Sequence, residues 1–282
     1  MTPPSILRCG RFELSLARPL VMGIVNVTDD SFSGDGLAGD AARAVEHGLR
    51  LVEEGAQILD IGGESSRPGA APVSADQELA RVLPVLEGLR DSGVPISVDT
   101  AKPEVMRAAL AGGADMINDI AALRAPGALE AVAARACAVC LMHMQGEPRT
   151  MQQAPHYADV VGEVARFLDE RVAAAMAAGI ARERIVLDPG FCFGKTIEHN
   201  LALLRRFGEL RLGGVPLLAG LSRKSMLGQI TGRAANERVH ASVAAALLAV
   251  QRGAAIVRVH DVAATRDALA ILEAVEGSTD EP

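Results

Sequence analysis

Apolar residues along this chain fall into two alternating rhythms. Short runs rich in Val, Ile and Leu are each followed by a longer segment in which apolar residues recur every three or four positions. That alternation is the mark of repeated strand–helix units. Eight runs read as strands: Leu20 to Val27, Ile58 to Ile61, Ile96 to Val98, Met116 to Ile117 with neighbours, Ala138 to Met142, Ile185 to Leu187, Pro216 to Ala219 and Ala255 to Val259.

Start and stop signals place the helices between them. Asp40 can cap a helix whose stripe includes Val45, Leu49 and Val52 before Gly55. Ser74 and Gln77 form a capping-box pattern ahead of Leu79, Val82 and Leu83, after which Pro84 predicts a kink or break. Pro103 suits a first helical position with Gly112 and Gly113 at the far end. A long amphipathic helix runs from Val160 to Met176, and Asn236 to Arg252 and Val262 to Val275 close the series.

So many βα units predict an α/β fold with parallel strands, a closed TIM-type (β/α)8 barrel over about residues 19–276, in preference to an open doubly wound sheet. The first 18 residues form an N-terminal extension that reads as a short hairpin with Gly10 near its turn. A single domain over 1–282 is expected: the 282 residues fit one such barrel, which needs about 250.

Charge narrows the partners. The 28 Lys and Arg against 35 Asp and Glu leave a net charge of −7, which offers no footprint for nucleic acid or an anionic membrane surface. With six Phe, one Tyr and no Trp, stacking platforms for single strands are scarce as well. The longest nearly apolar run, Ala241 to Val250, is well short of the roughly 20 residues a membrane span requires. Met1 to Leu16 carries Arg8, Arg11 and Glu13 and lacks the continuous apolar stretch of a secretory leader, so a soluble cytoplasmic protein is expected. Cys137 and Cys140 have a C-x-x-C spacing, but they sit in an apolar run and read as buried thiols in a reducing compartment.

The candidate chemistry is positional. Asn26, Asp60, Asp99, Asn118, His143, Asp188, Ser222, Arg258 and His260 lie at or just after the strand ends. A barrel builds its active face there, although each residue alone reads equally as a turn former, a cap or a structural histidine. The loop after the first strand, through Asp29, Asp30 and Asp35, is polar and glycine-bearing. The second, Gly62 to Gly69, joins glycines to hydroxyls and Arg67. Asp99, Asn118 and Asp188 can bond the amino-amide edge of a base-like or pterin-like ring. Ser222-Arg223-Lys224-Ser225 and Arg258-Val259-His260 can gather round phosphate. With no zinc-peptidase, Walker or nucleophile-elbow motif at these positions, the residues themselves define a polar, anion-binding barrel enzyme.

Seven motifs in order give that reading a family. Met22-Gly23-Ile24-Val25-Asn26-Val27-Thr28, Gly62-Gly63-Glu64-Ser65-Ser66-Arg67-Pro68-Gly69, Ser97-Val98-Asp99-Thr100, Ile117-Asn118-Asp119, Leu187-Asp188-Pro189-Gly190-Phe191, Ser222-Arg223-Lys224-Ser225 and Arg258-Val259-His260-Asp261 closely resemble the dihydropteroate synthase family from about Val21 to the C-terminal helix. The resemblance implies an enzyme of folate biosynthesis that joins 6-hydroxymethyl-dihydropterin pyrophosphate to para-aminobenzoate, with magnesium and as a homodimer. It implies that Asp99, Asn118, Asp188 and Lys224 recognise the pterin, that Arg258 contacts the ring, and that Met142 and Phe193 pack nearby. Asn26, Arg258 and His260 would hold the pyrophosphate, Asn26 also contacting the metal. Ser66, Arg67, Pro68, Lys224 and Ser225 would border the para-aminobenzoate site, and Asp60 would support the groups that touch substrate. Asn26, Lys224, Arg258 and His260 are the expected catalytic set.

The sequence departs from the family pattern in places. Asp29 stands where Pro is common, Gly34-Asp35 reverses an Asp-Gly, Ser66 replaces Thr, and Cys192 interrupts a Gly-Phe-Gly-Phe-Gly run. Which of Asp29, Asp30 and Asp35 approaches the site is left open.

Overall fold

Gly10 turns the chain back on itself at the start of the molecule. Its φ of +57° is open to glycine at little cost, and a Cβ there would lie 2.4 Å from Asp115 Oδ1. The two strands it joins, β1 (Ile6–Cys9) and β2 (Phe12–Ser15), pair antiparallel. Residues 6–28, 40–65, 70–147 and 150–276 are described by the structure, a computed structural model.

Among the described residues, eight parallel strands close a barrel: β3 (Leu20–Asn26), β4 (Ile58–Gly62), β5 (Ile96–Asp99), β6 (Met116–Asp119), β7 (Ala138–Met142), β8 (Ile185–Asp188), β9 (Leu217–Ala219) and β10 (Ala254–Val259). The last strand pairs with the first, Arg258 opposite Met22 and Val259 opposite Gly23. All eight predicted strands and the N-terminal hairpin are present.

The two-residue period of a strand divides each one between two environments. Val21, Leu59, Val98, Ile117, Val139, Leu187 and Val257 belong to the large core formed with the surrounding helices. Their neighbours point inward, and along each strand the inward set changes character from bottom to top. Met22, Ile58, Met116, Cys140, Val186, Leu218 and Ile256 fill the lower barrel, where Leu7 and Cys9 of the hairpin join them as a plug. Two residues further along, the inward positions are Asp60, Asn118, Met142, Asp188 and Arg258. The alternation that buries the floor therefore delivers the polar groups to the open end.

The helices are α1 (Ala41–Glu53), α2 (Ala75–Leu89), α3 (Pro103–Ala111), α4 (Ala128–Ala133), α5 (Val160–Ala177), α6 (Ile197–Arg205), α7 (Ser225–Thr231), α8 (Val239–Val250) and α9 (Val262–Glu276). Asp40 caps α1 by accepting from the Arg43 N–H, Ser74 and Gln77 complete the capping box of α2, and Pro103 opens α3.

Two expectations are corrected. The buried face of α1 is Ala44, Gly48 and Leu51, while Leu49 is 42% exposed. The small residues face inward because Leu89 of α2 fills the space over Gly48, where a Cβ would meet it at 2.7 Å. Pro84 does not break α2, which runs through it. Pro84 and Ala80 both lie on the exposed face, so water can reach the carbonyl that proline leaves without a donor.

Cys137 and Cys140 are free and buried, and burial pushes both thiols up, away from the reactive thiolate. No helix among the described residues is long and apolar enough to cross a membrane.

Candidate active site

The inward residues at the strand C-termini line a cavity of about 480 Å³. Asn26, Asp99, Asn118, Met142, Asp188, Phe193, Lys224, Ser225, Arg258 and His260 all face it. Ser66, Arg67 and Pro68 lie outside the described residues, as do Asp29, Asp30 and Asp35. Glu64 and Ser65, at the near end of the second loop, line the cavity edge.

At its base stands a charge relay spanning the barrel. Asp60 is fully buried, and its Oδ2 accepts from Arg258 Nε at 2.5 Å and from Asn118 Nδ2 at 3.1 Å. Arg258 Nη2 donates to Asp99 Oδ2 at 3.0 Å, so one guanidinium joins two carboxylates. Asp60 Oδ1 and the Ser97 hydroxyl, opposite each other in the β4–β5 register, have no hydrogen-bond partner among the described residues. Burial raises the Asp99 carboxyl to about 7, with Arg258 opposing the rise and the Asp60 charge adding to it.

On the other side, Asp188 Oδ1 accepts from the Gly190 N–H at 2.7 Å, and burial raises its carboxyl too, against the pull of Lys224. Burial lowers the Lys224 ammonium. Lys224 donates to the Phe191 carbonyl at 2.7 Å, and its Nζ lies 4.8 Å from the centroid of the Phe193 ring. Carboxylates and the Asn118 amide thus stand beside two cations around one cavity.

The basic motif proves to be divided. Arg223 also lines the cavity, and its guanidinium forms a bidentate pair with Asp261 at 3.1 and 2.6 Å. Ser222 Oγ accepts from the His260 N–H at 3.1 Å and lies 2.9 Å from His260 Nδ1. These contacts fasten the β9 and β10 loops together and leave Lys224 and Arg258 as the cations nearest the acceptors. Asp119 likewise turns away from Asn118, its carboxylate accepting from the Ala121 and Leu123 N–H groups at 2.7 Å each.

Sequence reasoning missed Lys195. Its side chain is buried and its Nζ donates to the Gly190 and Phe193 carbonyls at 2.9 Å each, and lies 2.9 Å from His143 Nδ1. Burial lowers the lysine to about 7 and His143 to about 3, and the two together hold the loop that carries Phe193. Gly190 packs so tightly there that a Cβ would lie 1.9 Å from the His143 carbonyl oxygen. The only signal in the sequence was a lysine closing a glycine-bearing strand-end loop. Also missed were Met151 and Gln152: Met151 packs with Met142, Met144 and Phe193 into an apolar wall, and Gln152 donates to the Cys192 carbonyl. Cys192 holds a left-handed φ of +66°, which explains why glycine suits this position.

The implied magnesium can be set against the donors present. Among the described residues no group of three or more His, Cys, Asp or Glu could hold a metal. Asn26 presents a side-chain oxygen to the cavity, 3.9 Å from where a Cβ on Gly62 would sit. One neutral oxygen at the cavity wall fits an ion that keeps its waters and takes most of its charge from substrate phosphates.

Buried carboxylates, an amide and two cations at the open end of a parallel barrel are groups that an enzyme binding a polar heterocycle can use. In agreement, a family model described as pterin binding enzyme matches residues 22–260. The dihydropteroate synthase of Neisseria meningitidis serogroup C is 57% identical over 275 residues, covering 96% of this chain and 97% of that protein. Among solved structures, Xanthomonas albilineans dihydropteroate synthase with 4-aminobenzoic acid superposes with a TM-score of 0.91 at 56% identity, covering 99% of each chain. The Burkholderia cenocepacia dihydropteroate synthase complexed with 7,8-dihydropteroate gives 0.90 at 54% identity, also over 99% of each. The chain belongs to the dihydropteroate synthase family of transferases.

Proposed function

We propose that this protein condenses 6-hydroxymethyl-7,8-dihydropterin pyrophosphate with para-aminobenzoate to give 7,8-dihydropteroate and pyrophosphate in folate biosynthesis. The observation that supports the reading is that Asp99, Asn118 and Asp188 line one cavity together with Lys224, Arg258 and His260. The three acceptors take the amino-amide edge of the pterin, Lys224 bonds the ring, Arg258 contacts it, and Met142 and Phe193 pack against it. Asp60 fixes Arg258 and Asn118 from below.

The pyrophosphate lies toward Asn26, Arg258 and His260. Magnesium, held by Asn26 and the phosphate oxygens, would supply positive charge to the leaving group. Bond breaking runs ahead of bond making. The C–O bond opens with its electron pair leaving on pyrophosphate, and the electron-rich dihydropterin ring stabilises the positive exocyclic carbon. The amine lone pair then forms the C–N bond, and the nitrogen loses a proton. Ser66, Arg67, Pro68, Lys224 and Ser225 border the amine's site, and water is excluded before attack. The protein acts in the cytoplasm as a homodimer.

Incubating it with magnesium and both substrates should give dihydropteroate by mass spectrometry in step with released pyrophosphate. Without the amine, slow release of pyrophosphate with 6-hydroxymethyl-dihydropterin as the water-captured product supports the dissociative path. Strict dependence of release on the amine argues for direct displacement, and no product at all overturns the activity.

A further inference from the structure

Behind the cavity edge lies a second ionic cluster that the mechanism above does not use. Lys102, just before α3, places its Nζ 2.5 Å from Glu64 Oε2 and 2.6 Å from Glu78 Oε2. Glu78, in the first turn of α2, has a fully buried side chain, and its Oε1 has no partner among the described residues. The lysine helps make its charge tolerable there, since an unpaired carboxylate in such a place is strongly disfavoured.

Glu64 is the member that faces the cavity. Its other oxygen, Oε1, accepts from the Val73 N–H at 3.1 Å, so one carboxylate ties the two ends of the β4–α2 connection together. The chain is also pressed against α2 at Gly63, where a Cβ would lie 2.7 Å from Val82 Cγ2, and Arg81 Nη1 donates to the Gly63 carbonyl at 3.0 Å. The edge is therefore well anchored along its backbone. What Lys102 adds is control of the Glu64 side chain and of its charge. Para-aminobenzoate is an anion, and a naked carboxylate at the edge of its site would repel it.

We infer that Lys102 is a positioning residue for the amine half of the reaction: by spanning Glu64 and Glu78 it fixes the Glu64–Ser65 edge of the cavity and offsets the negative charge there, so that an anionic aromatic amine can bind. The inference rests on the proposed reaction. Lys102 also stands three residues after Asp99, so the turn that carries a pterin acceptor is the one that holds the amine's edge.

Steady-state kinetics on the full chain tests this. Lys102→Met should raise the KM for para-aminobenzoate about tenfold while the KM for the pterin pyrophosphate stays within about twofold. Lys102→Arg should return the amine KM to within about threefold of the parent, because it keeps the charge. Adding Glu64→Gln to Lys102→Met should recover much of the loss, since the amide retains the acceptor for Val73 and removes the unpaired charge. Glu64→Gln alone, with the lysine intact, should hold or lower the amine KM, and this variant decides the matter if Lys102→Met does not fold. A rise in both KM values together, no change in either, a rise in amine KM in Glu64→Gln alone, or no recovery in the double variant would overturn the inference. Absence of dihydropteroate with the parent protein would instead sink the reaction on which it rests.

Discussion

The two ends of the barrel use the same strands to opposite ends. At the closed end the inward positions are apolar, Leu7 and Cys9 of the hairpin are fully buried among them, and the one buried carboxylate, Asp115, is well satisfied. It accepts from the Arg11 backbone N–H, Nε and Nη2 and from the Ile96 N–H, all between 3.0 and 3.1 Å. At the open end, Asp60 Oδ1 lacks a partner among the described residues, Asp99 and Asp188 are pushed toward neutrality, and Lys224 and Lys195 hold their protons less tightly than usual. One end is built for satisfaction and the other keeps polar groups short of it. A ligand can supply there what the protein withholds.

Substitutions should separate the two ends cleanly. Lys224→Ala should lower turnover about 1,000-fold, roughly 4 kcal/mol of transition-state stabilisation. Because burial works against its charge, thermal unfolding should show no loss of stability, and a large drop in melting temperature would break the contrast. At the closed end, Leu7→Ala should cost about 3 kcal/mol through the cavity it leaves, read by urea unfolding, with both KM values unchanged.

A smaller effect comes from pH. With Asp99 near 7 in the free protein and acting as a charged acceptor, pterin affinity should weaken about fivefold from pH 7 to pH 6, and Asp99→Asn should flatten that dependence in calorimetric titrations. Stability runs the other way. An acid with a raised folded pKa contributes stability that is present below about pH 4 and is lost as pH rises through 7. Smallest of all, Cys192→Gly should stabilise the fold by about 0.5 kcal/mol. Relief of the left-handed backbone, about 1–2 kcal/mol, outweighs the extra chain entropy of glycine, about 0.5–1 kcal/mol.

The strands and most cavity residues were legible because both depend on local order. A period of two fixes which side chains point inward, and the strand end fixes which of those reach the site. The α1 face was misread for a related reason. Of the stripe Val45, Leu49 and Val52, Val45 and Val52 pack against the core, but Leu49 is exposed and the buried centre belongs to Ala44 and Gly48, whose small size lets Leu89 come close. Arg223 could not be told from Lys224 by spacing, since only the left-handed turn at Arg223, φ +57°, sends its side chain to Asp261. Lys102 and Lys195 were invisible for a third reason. The carboxylates that Lys102 bridges lie 38 and 24 residues away and the His143 beside Lys195 lies 52 away, while the nearer partners of Lys195 are backbone carbonyls, which no residue type marks.

Arg258 reaches Asp60 across 198 positions of sequence, from the last strand to the second of the barrel. During synthesis the chain emerges from its N-terminus. Until β10 leaves the ribosome, the edge of β3 stays open and Asp60 and Asp99 face the same space without the cation that later joins them. A chain that stops short of β10 carries most of the residues that line the cavity and yet lacks the strand that seals the barrel. Catalytic competence in this molecule therefore waits on the synthesis of its last barrel strand.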